Sequence, residues 1–488
     1  MRWIYWAGFL SYSFLVIYVG WRSYVRGKQA KAAQSDFWSA GKSLSSWAVG
    51  LSVSASFMSI SWSCVYDVQL FYWYGLSAVW LLAIPWLLAM VGFFTLAPYF
   101  RKLPAFSQPE MLSQRFGSKL RSHFALPLAF VFVVWGGAEI FAAAQVLSPI
   151  LEVPFHAILA LIALVVAVYS FMGGFAAVVI TDKVQYALVA FFIVAISWVA
   201  VKASLAQDTL TGVLNNLIVP PKAQRPALSL FAVGPALTAL TLVAYLPGWL
   251  VETDIWLRFQ AARSTPAARK GIAIAGVNSL LFTGIFPLII GLAALYLYPP
   301  AGTVIPAELN DGAAIFAVLM RDHATPLMNV LLILGLAAAS MSTIDTCGNV
   351  VALSLSYDLL EPLLAKSKRP LNRQRLSRYM SAGAVFLAYL YAIFTDSLWD
   401  IFYLSSGILT TTLFMPMMAL FWPKATKKQV QASALAGFVS TLVFYFLESR
   451  GLLVALEPDW LLETGLGYIL WGLAASLLGF WLFRPSEN

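Results

Sequence analysis

Residues 46–66 read SWAVGLSVSASFMSISWSCVY, an apolar stretch that carries serine at positions 52, 54, 56, 59, 61 and 63. The stretch is long enough for one helical crossing of a bilayer, which takes about 20 residues. Six hydroxyl groups within twelve residues are poorly suited to contact with lipid. Unwound backbone is tolerated at membrane depth only where it lines a cavity, so we expect the helix to be interrupted here and to face one.

A second segment, residues 242–254, reads LVAYLPGWLVETD and carries its own sign of an interruption. Pro247 removes a backbone donor and Gly248 relaxes the dihedral angles, although a merely bent helix is the alternative. The two segments lie about 190 residues apart, and each opens a series of five apolar segments, 46–204 and 228–422. Matching interruptions in corresponding halves are typical of an inverted repeat with a binding site near the bilayer midplane.

The composition of the whole chain agrees with this interpretation. Its 488 residues are 60% hydrophobic and only 11% charged, whereas soluble domains average about 25% charged residues. An ordinary soluble enzyme is therefore excluded, and we predict an all-α integral membrane protein. Thirteen spans are predicted, at 3–24, 46–66, 75–98, 123–150, 155–177, 184–204, 228–257, 271–298, 326–356, 379–395, 398–422, 430–448 and 462–483.

These spans divide the chain into four parts. Residues 1–45 form an extra N-terminal helix and a cytoplasmic loop, residues 46–204 the first repeat, residues 228–422 the second repeat, and residues 430–488 two C-terminal helices and a tail.

The basic residues orient these spans in the bilayer. The net charge is +9, and an outside N-terminus places 25 of the 31 Lys and Arg residues, Arg258 among them, on the cytoplasmic side. This bias is the one expected from the positive-inside rule. We therefore predict a protein of the inner (plasma) membrane with a cytoplasmic C-terminus, embedded in the lipid bilayer, and nucleic acid need not be invoked as a partner.

Four carboxylates in or beside the predicted spans are singled out, because ionisable groups at membrane depth are costly and usually functional. Asp67 is near the outer end of its span and is equally consistent with an interfacial carboxylate, and Asp182 is next to Lys183, which suggests a surface pair. Glu139 and Asp345 are near mid-span without a basic residue in the same span, so a functional role is expected for both.

Enzymatic and channel functions are not supported by the pattern. The three histidines are isolated, with no spacing typical of a metal site, and no nucleophile is paired with a base. A channel would need a continuous pore lined by polar rings, but the polar residues cluster at the two interruptions.

Four separated motifs resemble one family of membrane transporters. They are YSFMGGFAAVVITDKVQ (169–185), WLVETDIWLRFQAARSTPAARKG (249–271), AASMSTIDT (338–346) and LWDIFYLSSGILTTTLFMPMMALFWPKAT (398–426), preceded by DFWSAGKSLSSW (36–47). The chain looks like the sodium/solute symporter family, which includes the sodium/proline, sodium/glucose and sialic acid symporters. The resemblance implies a LeuT-type core of five plus five inverted helices, with one helix added before it and two after.

The resemblance also implies an ion site, with Na⁺ as the coupling ion. The implied ligands are the carbonyls of Ala55, Met58 and Ala339 and the hydroxyls of Ser342 and Thr343. Oxygen ligands suit a hard cation, and no other metal is expected. Some members hold a second sodium, and the corresponding residues are Asp182, Thr346 and Asp345. Because Asp345 replaces a hydroxyl of the family pattern, it could bind sodium, take up a proton or meet a positive group on the substrate.

The substrate is implied less directly. The family's sialic-acid-reading arginine falls near Gly137 and its sugar-gate tyrosine at Gly248, so both of those substrates are disfavoured. Carboxylates with aromatic walls favour an amine or amino-acid-like small molecule through charge and cation–π attraction. A neutral or carboxylate metabolite is the alternative substrate, and proton coupling through Asp345, Asp182 or Glu139 is the alternative to sodium coupling. The residues predicted to contact the substrate are Ser56, Phe57, Ser59, Trp62, Trp135, Glu139, Gln145 and Trp249.

Overall fold

The computed structural model describes residues 2–29, 42–103, 107–172, 175–364, 373–395 and 397–483. Within these ranges the chain is helical and contains no β-strand, which confirms the all-α prediction. The cytoplasmic loop predicted after the first helix falls mainly on residues 30–41, which lie outside the described residues, as do the last five residues of the tail.

The first half of the chain contains one helix before the serine-rich segment and seven after its start. Their bounds are α1 Arg2–Gln29, α2 Ser46–Phe57, α3 Ile60–Trp80, α4 Ala83–Phe100, α5 Gln108–Phe116, α6 Lys119–Leu151, α7 Phe155–Met172 and α8 Phe175–Leu205.

The second half begins with a short helix and repeats the pattern of a broken helix followed by long ones. The bounds are α9 Leu210–Asn215, α10 Pro235–Trp249, α11 Thr253–Ala261, α12 Thr265–Leu297, α13 Ile315–His323, α14 Pro326–Leu364, α15 Arg373–Ile393, α16 Leu398–Phe421, α17 Lys427–Ser449, α18 Asp459–Leu462 and α19 Gly467–Leu482.

Among the described residues, eleven helical segments are long and apolar enough to cross a membrane, with α10 and α11 together counted as one, and the bent pair of α2 and α3 makes a twelfth. The last predicted span corresponds to α19, which has only 16 residues, so the count of thirteen stays a prediction. The third span begins at Ala83 rather than at 75, because α3 continues to Trp80. At Gly75 the backbone has a φ of 60° and lies against the Ala227 carbonyl, a conformation that favours glycine.

The predicted interruption of the serine-rich segment is confirmed. α2 ends at Phe57 and α3 begins at Ile60, and the two axes differ in direction by 58°. Ser59 is extended, and its side-chain oxygen accepts a hydrogen bond from the Trp62 amide at 3.0 Å. Ser63 donates to the Phe57 carbonyl at 2.8 Å. The serines therefore satisfy backbone groups that the break would otherwise leave without partners.

The second interruption lies just beyond Pro247 and Gly248. α10 ends at Trp249 and α11 starts at Thr253, with Glu252 in an extended conformation between them. The Thr410 hydroxyl enters the helical ladder here, donating to the Ala244 carbonyl at 2.6 Å and accepting from the Gly248 amide at 2.9 Å. A side chain inserted into the ladder in this way bends or breaks a helix.

Packing brings both broken helices against α14. α14 packs on α6, α8 and α15, while α12 packs on α2 and α4. α2 and α11 both contact α14, and α17 packs on α19 beside this core. The two interruptions therefore face the middle of one long helix.

Gly248 has no room for a side chain, which gives a first prediction. A methyl group there would lie 2.8–2.9 Å from Thr410 Oγ1, Leu409 Cβ and the Ser406 carbonyl. We expect Gly248→Ala to lower the free energy of unfolding by about 1–3 kcal/mol, as overpacking does.

The matched control is Gly383→Ala in α15, where nothing lies within 4 Å of the added carbon. It should raise stability slightly, since alanine is the better helix former. Thermal unfolding in detergent measures both variants, and equal melting temperatures would contradict the close packing of Gly248.

Candidate functional site

Four of the five residues predicted to bind an ion, Ala55, Ala339, Ser342 and Thr343, have oxygen atoms in contacts between α2 and α14 or within α14. The Ser342 hydroxyl lies 3.4 Å from the Ala55 carbonyl oxygen. The Thr343 hydroxyl lies 3.2 Å from the Ser56 carbonyl and 3.3 Å from that of Ala339. Met58 is fully buried at the break itself. A cluster of carbonyl and hydroxyl oxygens has the chemistry that a hard monovalent or divalent cation prefers.

Asp182 extends this oxygen cluster with a carboxylate. The Ser342 hydroxyl donates to its Oδ1 at 3.0 Å and the Ser52 hydroxyl to its Oδ2 at 2.5 Å. Asp182 is fully buried, while Lys183 is exposed. The surface pair suggested by the sequence is therefore wrong, because α8 turns Asp182 inward against α2.

The partner of Asp182 is Arg258, which the charge count had assigned to a cytoplasmic loop. Its side chain is only 1% exposed. Nη2 lies 3.4 Å from Asp182 and 3.2 Å from Thr346 Oγ1, and Nη1 lies 3.1 Å from Asp254. Nε donates to Ser52 at 2.8 Å. The loop assignment is wrong, because α11 carries this guanidinium into the protein interior, where it satisfies two carboxylates and two hydroxyls.

The three residues predicted to bind a second cation do not share the same hydrogen-bond partners. Asp182 and Thr346 both contact the Arg258 guanidinium. Asp345 instead accepts hydrogen bonds on Oδ1 from Ser170 at 3.1 Å and Asn349 at 3.0 Å. The structure thus brings a positive group of the protein itself to two of the three residues.

A cavity adjoins the ion cluster, with about 540 Å³ of space not filled by protein atoms, open solvent at its mouth included. Six of the eight side chains predicted to contact the substrate line it: Ser56, Phe57, Ser59, Trp62, Trp135 and Trp249. Thr343 and Thr346 also line it, so the cavity and the ion cluster share residues.

Aromatic rings form the walls of this cavity. The Trp249 ring lies 5.0 Å from Trp86 and 5.5 Å from Trp62, at interplanar angles of 83° and 69°. Trp62 in turn lies 4.4 Å from Phe402. These edge-to-face contacts hold the rings against one another, while Tyr245 stacks on Trp249 at 4.4 Å, so the cavity has a well-packed aromatic wall.

Glu139 and Gln145, the other two predicted contacts, do not line the cavity. Glu139 is fully buried and accepts hydrogen bonds from the amides of Ile60 and Ser61, at 2.8 and 3.0 Å, and from the Ser61 hydroxyl at 2.5 Å. These amides form the start of α3, where the helix dipole favours a negative charge. The geometry favours a capping role for Glu139, and its contact with substrate stays a prediction.

Two cavity carboxylates, Glu252 and Asp254, were missed by the sequence reasoning. They lie in the unwound segment and at the start of α11, and both line the cavity. They directly follow the Pro247 and Gly248 pair in an apolar segment, which was the available signal. Asp67, by contrast, is buried on α3 and lies outside the cavity lining.

A model of the sodium:solute symporter family matches residues 37–438. The chain belongs to this family. Because the match covers most of the chain, the resemblance noted in the four motifs is confirmed.

Characterised relatives of this symporter family are distant in sequence. A sodium/glucose cotransporter of Vibrio parahaemolyticus is 27% identical over 479 residues, covering 89% of this chain and 83% of that protein. A sodium/proline symporter of Staphylococcus aureus (strain bovine RF122 / ET3-1) is 24% identical over 369 residues, covering 73% and 68%. These two relatives are named for chemically different solutes.

Solved structures show the same fold. A substrate-bound, outward-open Na⁺-coupled sialic acid symporter aligns with a TM-score of 0.74 at 18% identity, over 99% of this chain and 98% of that one. A nucleobase-cation-symport-1 family transporter in a closed conformation aligns with a TM-score of 0.53 at 15% identity, over 92% and 96%. This symporter family member is therefore an all-α integral membrane protein with the LeuT-type five-plus-five inverted repeat.

The hydrogen bonds of Glu139 give a second prediction. Glu139→Ala should remove the acceptor of three donors at the start of α3 and lower the free energy of unfolding by about 3 kcal/mol. Thermal unfolding of the purified symporter measures the effect.

Gln145→Ala is the control, because Gln145 lies on the same helix and its Oε1 has no hydrogen-bond partner. It should unfold close to the wild-type temperature. A Glu139→Ala variant as stable as this control would contradict the capping role.

Proposed function

We propose that the protein transports a small organic solute together with sodium by alternating access. One observation carries the proposal: Ser56 belongs to both the ion cluster and the cavity. Its carbonyl accepts from Thr343 at 3.2 Å, and its hydroxyl lies within hydrogen-bond distance of Asp254 Oδ2, at 3.1 Å. An ion bound on one side of this residue would therefore influence a solute bound on the other.

The broken helices give this coupling a physical basis. Sodium held between α2 and α14 would tie these helices together, and a solute among Trp62, Trp249 and Asp254 would contact both broken helices. A ligand shifts a conformational equilibrium only by its difference in affinity for the two states. Sodium and solute that both favour the same arrangement of these helices would each strengthen the binding of the other.

We propose an amine-bearing or amino-acid-like solute, supported by the cavity's carboxylates and aromatic walls. The relatives do not select it, because proline, glucose and sialic acid appear among their names. A neutral or carboxylate metabolite is the alternative.

We also propose that the protein lies in the inner (plasma) membrane with its N-terminus outside and its C-terminus in the cytoplasm. The positive-inside bias supports this orientation. With Arg258 removed from the count of loop residues, 24 of the 31 basic residues still fall on the cytoplasmic side.

We propose that the Arg258 guanidinium takes the place of a second sodium ion. Its guanidinium contacts Asp182 and Thr346, two of the three residues considered for a second sodium. An ammonium, guanidinium or sodium ion in one place excludes the others by volume and by charge. Sodium coupling would then involve one sodium per solute.

A third prediction concerns the ion cluster. Ser342→Ala and Thr343→Ala each remove one proposed sodium ligand, so the sodium concentration for half-maximal uptake should rise roughly tenfold. Radiolabelled solute uptake into proteoliposomes over a range of sodium concentrations measures this shift.

Ser340→Ala is the matched control, since Ser340 is buried on the same helix and its hydroxyl has no hydrogen-bond partner. Its sodium dependence should equal that of the wild type. Unchanged sodium dependence in both variants would contradict the proposal that Ser342 and Thr343 bind sodium. Accumulation driven fully by a pH gradient in sodium-free buffer would instead establish the proton-coupled alternative.

The fourth prediction concerns stoichiometry. Parallel initial uptake of ²²Na⁺ and labelled solute should give a ratio of one, because Arg258 already neutralises part of the charge at Asp182. A ratio of two would mean that Arg258 does not occupy the second cation position during transport.

A further inference from the structure

We propose that the solute is an organic cation without a compensating carboxylate of its own, and that Glu252 is the side chain that binds its positive charge. This inference rests on the proposed function, because it takes the cavity beside the ion cluster as the solute site. It is narrower than an amine-bearing solute, since it excludes zwitterionic amino acids.

The charges around the cavity are unbalanced. Asp182 and Asp254 contact the Arg258 guanidinium, and Glu252 is a close neighbour of Asp254. Two carboxylates thus contact one guanidinium and a third lies beside Asp254, which leaves two negative charges when all three are ionised. A sodium ion in the cluster that includes Ser342 and Asp182 would neutralise one of them. A cationic solute would neutralise the other.

Glu252 is the carboxylate best placed to meet that solute. It lines the cavity and is 7% exposed, and its Oε2 has no hydrogen-bond partner. Asp254, which is 3% exposed, also has one unpartnered oxygen, Oδ1. A buried ionised oxygen without a partner is costly, so these atoms either take up a proton or accept from a donor on a ligand, and a cationic donor stabilises the ionised form.

The other buried carboxylates near the ion cluster are already engaged. Glu139 accepts three hydrogen bonds from Ile60 and Ser61, and Asp345 accepts from Ser170 and Asn349. Neither lines the cavity. The cavity-lining carboxylate oxygens without a hydrogen-bond partner are therefore those of Glu252 and Asp254.

The cavity wall fits an alkylated cation. Trp249 lies 5.0 Å from Trp86 and 5.5 Å from Trp62, with the rings at steep angles to one another. Aromatic side chains that line a cavity attract a cation where it meets a ring face, and this cation–π attraction strengthens when water is excluded.

A carboxylate on the solute would find no matching group. Among the cavity-lining residues that the structure describes, none is Lys, Arg or His. Arg258 is held by Asp182, Asp254, Ser52 and Thr346 and lies outside the lining. An anionic or zwitterionic solute would therefore add negative charge beside two carboxylates.

The test is a thermal-shift measurement on the purified full-length protein, in sodium and in potassium buffer. The probes are methylammonium, tetramethylammonium, choline, putrescine and tyramine, each beside a neutral analogue of similar shape. Glycine betaine and tyrosine serve as the carboxylate-bearing counterparts of choline and tyramine. A ligand that binds the native state raises its apparent melting temperature.

We expect at least one cation to raise the melting temperature in sodium, while its neutral and carboxylate-bearing counterparts do not. Glu252→Gln should raise the cation concentration for the half-maximal shift about thirtyfold or more, as loss of one partner of a buried charge pair does. Glu252→Asp should recover part of the affinity. Asp67→Asn, which alters another buried carboxylate with an unpartnered oxygen, should leave cation binding unchanged.

The outcomes separate this inference from the proposed function. Sodium-dependent binding of neutral or zwitterionic probes alone, or binding of none of the cations, would overturn the inference and leave sodium symport standing. Cation binding that is lost in Glu252→Gln but is the same in sodium and potassium would support the inference and count against sodium coupling. A sodium-induced shift retained in Glu252→Gln would confirm that this variant is folded.

Discussion

The backbone groups freed where two membrane helices break must be satisfied by the protein itself, and the rest of the site depends on this constraint. Lipid offers no hydrogen bonds, so each unsatisfied amide or carbonyl at that depth costs several kcal/mol. At the first break, Glu139 and the serines of the same segment supply the partners. At the second, Thr410 bridges the ladder at Gly248, and Gln108 donates to the Val251 carbonyl at 2.6 Å. Gln108 also accepts from the Thr253 hydroxyl at 2.5 Å.

Because these partners stabilise the unwound backbone, the carbonyl groups near the first break are available to bind an ion. The carbonyls of Ala55 and Ser56 point to the hydroxyls of Ser342 and Thr343 rather than to amides of their own helix. An oxygen cluster of this kind needs few formal charges, which are expensive in a membrane. The few charges present are concentrated around Arg258. Its buried pairs with Asp182 and Asp254 carry a desolvation cost, so their value lies in organising the site more than in stability.

The carboxylates illustrate how far the sequence reasoning reached. Glu139 and Asp345 were singled out correctly as isolated charges inside apolar segments, and both are buried. Whether such a group is free for a ligand depends on its hydrogen-bond partners, and those of Glu139 lie 78 and 79 residues away along the chain. Glu252 was overlooked because it stands next to polar residues at the end of its segment, where a carboxylate looks ordinary. Only the return of α11 into the interior buries it beside the aromatic rings.

The sequence by itself determined the membrane environment, through its composition, and the family, through four motifs in order. It also located both interruptions, because serine clustering and a Pro-Gly pair act on the local backbone. The tertiary structure alone decided that Arg258 pairs with Asp182, 76 residues away, and that Asp345 accepts hydrogen bonds from Ser170 and Asn349. The physical reason is that local propensities act over a few residues. The partners of a buried charge are chosen by how distant helices pack, and no local pattern in one sequence records that choice.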